Sequence, residues 1–245
     1  MNGWVWRLTI GWAEHQKYIN MIKNLKKLNK VIINCNKCIR LVNFRQKIAK
    51  EKRKQYLNEI YWGKPITGFG DSNAKLLIIG LAPAAHGGNR TGRVFTGDKS
   101  ADFLFKCLYK ANLSNQSHSV SVDDGLELYN TYITTALKCV PPGDKPTSKE
   151  LKTCFYYFKN EISLLSNTTV VIALGKIAYD ACLNFYQEFY SFKKKEYVFS
   201  HGSINTLPDK KLLVGSYHPS PRNVNTGRLN LKKMVSLLEK VKKII

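Results

Sequence analysis

The chain reads KLLIIGLAPAAHGGNRTGRVFTGD from Lys75 to Asp98. The first part, up to Gly80, is a nearly continuous apolar run, which is typical of a strand buried on both faces of a parallel sheet. A long glycine-rich loop follows, and apolar residues then recur at helical spacing from Phe103 to Ala111. This order of strand, loop and helix is the repeating unit of α/β proteins.

The same unit recurs along the rest of the chain. Three further apolar segments predict strands, at residues 132–137, 170–174 and 212–215. Helices are predicted between and after them, and one begins where Thr147 and Glu150 have capping-box spacing. We therefore expect an α/β fold, a three-layer α/β/α sandwich with a central, mainly parallel four-stranded sheet.

The chain shows no internal repeat and no low-complexity linker. We expect residues 31–245 to form a single domain and residues 1–30 to be an N-terminal extension. From Leu41 onward, apolar residues at helical spacing are interleaved with cations, which predicts a basic helix whose cations form a solvated face. Those cations are Arg45, Lys47, Lys50, Lys52, Arg53 and Lys54.

Charge is the unusual property of the composition. Of 245 residues, 39 are Lys or Arg and 17 are Asp or Glu, which gives a formal net charge of +22. Such an excess predicts a polyanionic partner, most simply nucleic acid, with an acidic membrane surface as the alternative. Hydrophobic residues make up 44% of the chain, and this proportion excludes a wholly disordered or fibrous protein.

The sequence has no stretch that approaches the ~20 apolar residues needed to cross a bilayer. Its first residues lack the basic start and long apolar run of a signal peptide. We therefore expect a cytoplasmic, nucleoid-associated protein that is a monomer and has no membrane contact.

Cysteine spacing points to a metal centre. Cys35-x-x-Cys38 can bind a metal or cluster from a single turn, while Cys139 and Cys154 flank a loop that leads into a helix. Four-cysteine sets of this kind hold zinc or iron–sulfur clusters, and four free thiols are the alternative. The two remaining cysteines lie on apolar helical faces and are predicted core residues.

Three loops with chemically versatile residues each follow a predicted strand, at residues 82–98, 139–147 and 217–228. Because the carboxyl ends of parallel strands meet at one edge of a sheet, these loops are expected to share one site. The stretch from Gly80 to Gly97 combines five glycines with Arg90 and Arg93, which suits close approach to an anion.

These residues resemble the motifs of the uracil-DNA glycosylase superfamily, and most closely its family five, the prokaryotic iron–sulfur branch. The resemblance covers roughly Cys35 to Met234. The loop 80–98 is similar to the first motif of that family, and His218-Pro-Ser-Pro-Arg-Asn223 is similar to the second. The four cysteines fall where that branch holds a [4Fe–4S] cluster.

The resemblance implies an enzyme that flips a deaminated base out of DNA and hydrolyses its N-glycosidic bond. It implies that Phe95 stacks on the flipped base and that His218 stabilises the leaving base. The implied base-binding residues are Gly80, Ala82, Phe95, His218 and Asn223. The catalytic candidates are His218, which the resemblance implies, and Asn89 and Asp144, which with Asp98 are the polar residues left to guide the attacking water. From the positive charge of the chain we expect DNA contacts at Arg40, Arg90, Arg93 and Lys138. The implied cluster ligands are Cys35, Cys38, Cys139 and Cys154.

The chain departs from the wider superfamily in two places. The first motif has only apolar residues over 81–84, where other branches carry a carboxylate, and Thr135 stands where family four has an asparagine. Both departures favour a looser pocket that accepts hypoxanthine as well as uracil. Two alternative functions are a non-catalytic iron–sulfur protein that binds nucleic acid and a zinc-stabilised RNA-binding module.

Overall fold

The structure is a computed structural model that describes residues 24–245. Residues 1–23, most of the predicted N-terminal extension, lie outside this range. The predicted domain boundary at residue 30 is wrong, because it falls inside the first helix, Leu25–Ile33. Leu28 and Ile32 of this helix are fully buried, so the domain already includes these residues.

The central sheet has six strands in the order β1-β3-β2-β4-β6-β5. All four predicted strands are present, and they pair in parallel as β3-β2-β4-β6. Two short antiparallel strands extend the edges, so the predicted count of four was too low. The strands are β1 (Phe69–Gly70), β2 (Leu76–Gly80), β3 (Thr131–Thr135), β4 (Val170–Leu174), β5 (Ile204–Thr206) and β6 (Leu212–Ser216).

Helices cover both faces of the sheet, which confirms the three-layer sandwich. They are α1 (Leu25–Ile33), α2 (Ile39–Glu51), α3 (Gly88–Thr91), α4 (Lys99–Lys110), α5 (Ser148–Leu164), α6 (Lys176–Gln187), α7 (Pro221–Asn225) and α8 (Leu231–Lys242). The sheet has a hydrophobic core on each face, and successive side chains of β2 pack into different cores. Leu76 packs with α4 and α8, while Leu77 packs with α5 and α6. The capping box of Thr147 and Glu150 starts α5 as predicted.

A third, smaller core lies under the cysteine-containing segments. It joins α1, α2 and α5 through buried Leu28, Leu41 and Tyr157, with Cys35 and Cys139 packed against it. The basic helix α2 is present, but its cations do not all face solvent, because Arg45 is only 3% exposed. Among residues 24–245, none of the helices is both long enough and apolar enough to span a bilayer.

Candidate active site

A cavity of about 350 Å³ opens where the loops after β2, β3 and β6 converge. It has an apolar wall and a polar rim, and four of its residues are predicted site residues: Ala82, Phe95, Asp144 and His218. Its lining comprises Leu81, Ala82, Pro83, Ala84, Phe95, Asp98, Ser100, Asp144, His218, Ser220 and Pro221. The prediction that three loops share one site is therefore confirmed for these residues.

Phe95 forms one wall of the cavity and is held in a strained conformation. Its φ of 47° lies in the left-handed region, which is rare for a bulky side chain and is a form of strain found at functional sites. The ring packs on the backbone of Gly80, where a Cβ atom would lie 2.8 Å from it. A side chain at position 80 would clash with the ring, so the position requires glycine.

His218 lies opposite, with its ring centroid 6.1 Å from that of Phe95. Asn223 fixes the histidine backbone by donating from Nδ2 to the His218 carbonyl at 2.9 Å. Ser220 caps α7 and Pro221 occupies its first turn, so the backbone after the histidine is rigid. Asn223 thus positions His218 and does not itself line the cavity.

Burial lowers the pKa of His218 to about 4, against a smaller opposing effect of the Asp144 charge. The imidazole is therefore neutral at physiological pH. A neutral ring has one N–H to donate and one nitrogen to accept, so His218 can donate a hydrogen bond without carrying a charge.

Two carboxylates reach the cavity. Asp144 is exposed, in a turn with a φ of 57°. Asp98 caps α4 by accepting from the Ser100 and Ala101 amides through Oδ1, and burial raises the pKa of this carboxyl group. Asn89 was predicted as a catalytic residue, but it is 1% exposed and donates to the Arg45 carbonyl at 3.1 Å. That prediction is wrong, because its side chain is committed outside the cavity.

Two of the four predicted DNA contacts are buried ion pairs. Arg93 contacts Asp124 at 2.6 Å, and both side chains are 5% exposed. Lys138 contacts Glu161 at 2.5 Å, and both are nearly inaccessible. A phosphate cannot reach either cation, so the prediction that they contact DNA is wrong.

The other two predicted contacts are also paired. Arg90 forms an ion pair with Glu59 while its guanidinium stacks on Tyr56, and its side chain is almost buried. It is therefore a structural residue too. Arg40 is 43% exposed but donates twice to the Glu150 carboxylate, at 2.7 Å each. Only Nε and Nη2 of Arg40 donate in these bonds, and the side chain is partly exposed, so its contact with DNA stays a prediction.

Three exposed cations in the loops that form the cavity or next to them were not singled out from the sequence as DNA contacts. Lys145 follows Asp144, Arg222 follows Pro221, and Arg228 stacks on Tyr217 with its guanidinium 4.8 Å from the ring centroid. Their adjacency to the loop motifs was visible in the sequence. What was not visible was which of the many cations already had carboxylate partners.

The four predicted ligands Cys35, Cys38, Cys139 and Cys154 line one cavity. Its other walls are largely apolar, formed by side chains such as Leu41, Val42, Pro65 and Leu137. Cys154 Sγ accepts a hydrogen bond from the Lys138 amide at 3.3 Å. Within residues 24–245, no group of three His, Cys, Asp or Glu is arranged to hold a metal ion.

The thiols of Cys139 and Cys154 are protonated when nothing binds them. Burial raises the pKa of Cys139 to about 12 and that of Cys154 to about 11, and the other cysteines contribute to both increases. Four thiols from two distant segments, converging on an apolar cavity, are a donor set that suits an iron–sulfur cluster. The predicted core cysteines, Cys107 and Cys182, are buried elsewhere.

Comparison with known proteins agrees with this geometry. The family model of the uracil DNA glycosylase superfamily matches residues 67–242. A type-5 uracil-DNA glycosylase of Pyrobaculum aerophilum is 42% identical over 209 residues, which cover 85% of this chain and 88% of the relative. One of Thermus thermophilus is 42% identical over 210 residues, covering 86% and 93%. A type-4 enzyme of Sulfurisphaera tokodaii is 25% identical, covering 90% and 83%. The chain therefore belongs to the uracil-DNA glycosylase superfamily, and within it to the type-5 group.

Proposed function

We propose that this chain is a monofunctional DNA glycosylase that removes uracil from DNA and leaves an abasic site. The observation that carries the proposal is the cavity of about 350 Å³ at the ends of the parallel strands, which Phe95 and His218 both line. The type-5 relatives are named as uracil-DNA glycosylases, and their similarity extends over most of this chain.

Base capture comes first. A base inside the duplex is out of reach, so the nucleotide must rotate into the cavity. The Phe95 ring offers a flat surface on which the flipped base stacks, at ~1–3 kcal/mol per base. Because the ring is fixed against Gly80, it does not have to be ordered when the base arrives.

The chemical step depends on the leaving base. As the N-glycosidic bond breaks, negative charge grows on the uracil carbonyl oxygen while positive charge grows on the sugar. The neutral His218 donates a hydrogen bond to that oxygen, and this bond strengthens as charge develops. By analogy with an oxyanion hole, such a donor contributes ~3–4 kcal/mol to the transition state.

Water must then attack the sugar, and a carboxylate is the usual group to orient it. Asp144 is the exposed carboxylate of the cavity and the one not engaged in capping a helix. We assign it the water-positioning role. Asp98 holds the start of α4 and so fixes the wall beside Phe95.

The cavity is permissive toward the base. Its wall at Ala82, Pro83 and Ala84 has no side chain that could read the base edge by hydrogen bonding. A pocket that lacks such groups discriminates weakly between analogues. We therefore extend the proposal to hypoxanthine in DNA.

The surface around the cavity opening suits a phosphate backbone. Lys145 and Arg222 are exposed next to the cavity-lining residues Asp144 and Pro221, and Arg228 is exposed on the ring of Tyr217, the residue before His218. The net charge of +22 favours association with a polyanion. These three cations take the place of the buried ones as proposed DNA contacts.

We also propose that Cys35, Cys38, Cys139 and Cys154 hold a [4Fe–4S] cluster. When bound, the cluster would supply a cross-link from the segment before α2 to the segment after β3, through Cys139, and to α5, through Cys154. Hydrolysis needs no electron transfer, so this role is structural. It would hold the 139–147 loop, and with it Asp144, in place beside the cavity.

The proposal is tested with duplexes that contain a single uracil opposite guanine or adenine. Purified protein should release free uracil and leave an alkali-labile abasic site, and an undamaged duplex should stay intact. A protein that binds the duplex with a normal salt dependence but releases no base would instead be a non-catalytic binding protein.

A further inference from the structure

Arg45 is a buried cation with no charged partner. The residue is 3% exposed, and arginine keeps its proton at any physiological pH. Its hydrogen bonds go to neutral groups, since Nη1 donates to the Gly63 carbonyl at 2.5 Å and Nη2 donates to Asn36 Oδ1 at 2.6 Å and the Cys35 carbonyl at 3.3 Å. The Nε atom is buried without any hydrogen-bond partner.

The other buried cations in the described part of the chain show how unusual this is. Arg90 pairs with Glu59, Arg93 with Asp124 and Lys138 with Glu161. No carboxylate in residues 24–245 lies within ion-pair distance of the Arg45 guanidinium. An uncompensated buried charge is strongly destabilising, so the isolated chain lacks something that this site is built to contain.

The position of Arg45 indicates what is missing. Cys38 occupies the position just before α2, and Leu41 and Arg45 follow it at helical spacing, which places all three on one face of the helix. Cys38 and Leu41 both line the four-cysteine cavity. The positive charge of Arg45 also acts on Cys139, where it opposes the rise in pKa caused by burial.

A cluster with four thiolate ligands is anionic overall, because the thiolates bring more negative charge than the iron–sulfide core offsets. We propose that Arg45 supplies the buried positive charge that compensates this anionic cluster and thereby controls how firmly the cluster is retained. The inference rests on the proposed cofactor but is independent of the glycosylase activity. It assigns α2 a role beyond a basic surface helix.

Retention is tested in purified Arg45→Met and Arg45→Lys variants. The readouts are iron per chain and the rate at which visible absorbance disappears in an iron chelator. Arg45→Met should lose the cluster about 10- to 100-fold faster than the wild type, whereas Arg45→Lys, which keeps the charge, should stay within a few-fold. The double variant Arg93→Met/Asp124→Asn removes another buried arginine together with its carboxylate partner. It serves as the control and should bleach at the wild-type rate.

Charge compensation is distinguished from a purely structural role of the guanidinium by measuring Arg45→Met in a protein that cannot bind the cluster. In a Cys139→Ala background, which cannot complete the ligand set, Arg45→Met should leave the unfolding midpoint unchanged or raise it, because it removes an uncompensated charge. In the cluster-loaded protein the same substitution should lower the midpoint. This change of sign is not expected if the side chain merely ties Gly63 to Asn36.

Three results would overturn the inference. The first is wild-type bleaching of Arg45→Met, and the second is an equal loss of stability, or failure to fold, with and without Cys139. The third is a wild-type protein that contains no iron, which would remove the cofactor proposal as well. Uracil release is measured separately on the same samples, so failure of the proposed function is told apart from failure of this inference.

Discussion

Replacing His218 by alanine removes the hydrogen-bond donor that faces the leaving base while leaving the Phe95 wall in place. Loss of ~3 kcal/mol of transition-state stabilisation slows the chemical step about a hundredfold. DNA affinity should change little, because phosphate contacts dominate it. The assay is single-turnover release of uracil at saturating enzyme, so that slow product release does not mask chemistry.

His201→Ala is the matched control, since His201 is a half-buried histidine that contacts Ser216 and does not line the cavity. It should retain nearly the wild-type rate. If His218→Ala cleaves within a few-fold of the wild type while Asp144→Ala is inactive, water activation would carry catalysis and the role given to His218 would be wrong.

The pH profile checks the protonation state of the same histidine. Its pKa in the folded protein is about 4, below the ~6.5 of an unperturbed imidazole. The single-turnover rate should therefore be level from pH 8 down to about 5 and fall as pH approaches 4. Between the two pKa values the unfolded chain binds more protons than the folded one, so the contribution of His218 to stability is present above ~6.5 and is lost as pH falls. A rate that drops with a midpoint near 6.5 would contradict a buried, neutral ring.

Further predictions concern the cluster, the cavity wall and the DNA surface. Cys139→Ala should lose visible absorbance and iron, whereas Cys107→Ala should keep both, and equal iron contents would contradict the ligand assignment. Gly80→Ala should displace the Phe95 ring and weaken capture of the flipped base. Relative to the wild type, its excision rate should therefore fall more at limiting enzyme than at saturating enzyme. Arg222→Ala should weaken duplex binding and reduce the slope of log K against log salt by ~0.9, and an unchanged slope would show that it contacts no phosphate.

The parallel core of the fold could be predicted because β2, β4 and β6 are largely apolar runs and β3 is rich in β-branched residues. Val170–Leu174 matches its predicted limits residue for residue. The edge strands β1 and β5 were missed because they span two and three residues, too short for any alternation of polar and apolar side chains to be recognised. Their pairing depends on neighbours distant in sequence.

Part of the candidate site could likewise be predicted from the sequence and part could not. The motif residues Phe95 and His218 could be located because strand ends converge and because the motifs resemble those of a known family. The buried cations could not, since the partner of Arg93 lies 31 residues away and that of Lys138 lies 23 residues away. Cation spacing is the same whether a side chain faces solvent or a buried carboxylate, so the sequence favoured a DNA contact at both positions.

The central claim is that the cavity lined by Phe95 and His218 accepts a deaminated base and that His218 promotes the release of this base. The most direct measurement is single-turnover excision from matched duplexes that carry uracil, hypoxanthine or an ordinary base at one position. The account predicts release of uracil and, at a measurable rate, of hypoxanthine, with both rates lowered about a hundredfold in His218→Ala. Tight duplex binding by the iron-loaded wild type, with no free base released from any of these substrates, would contradict it.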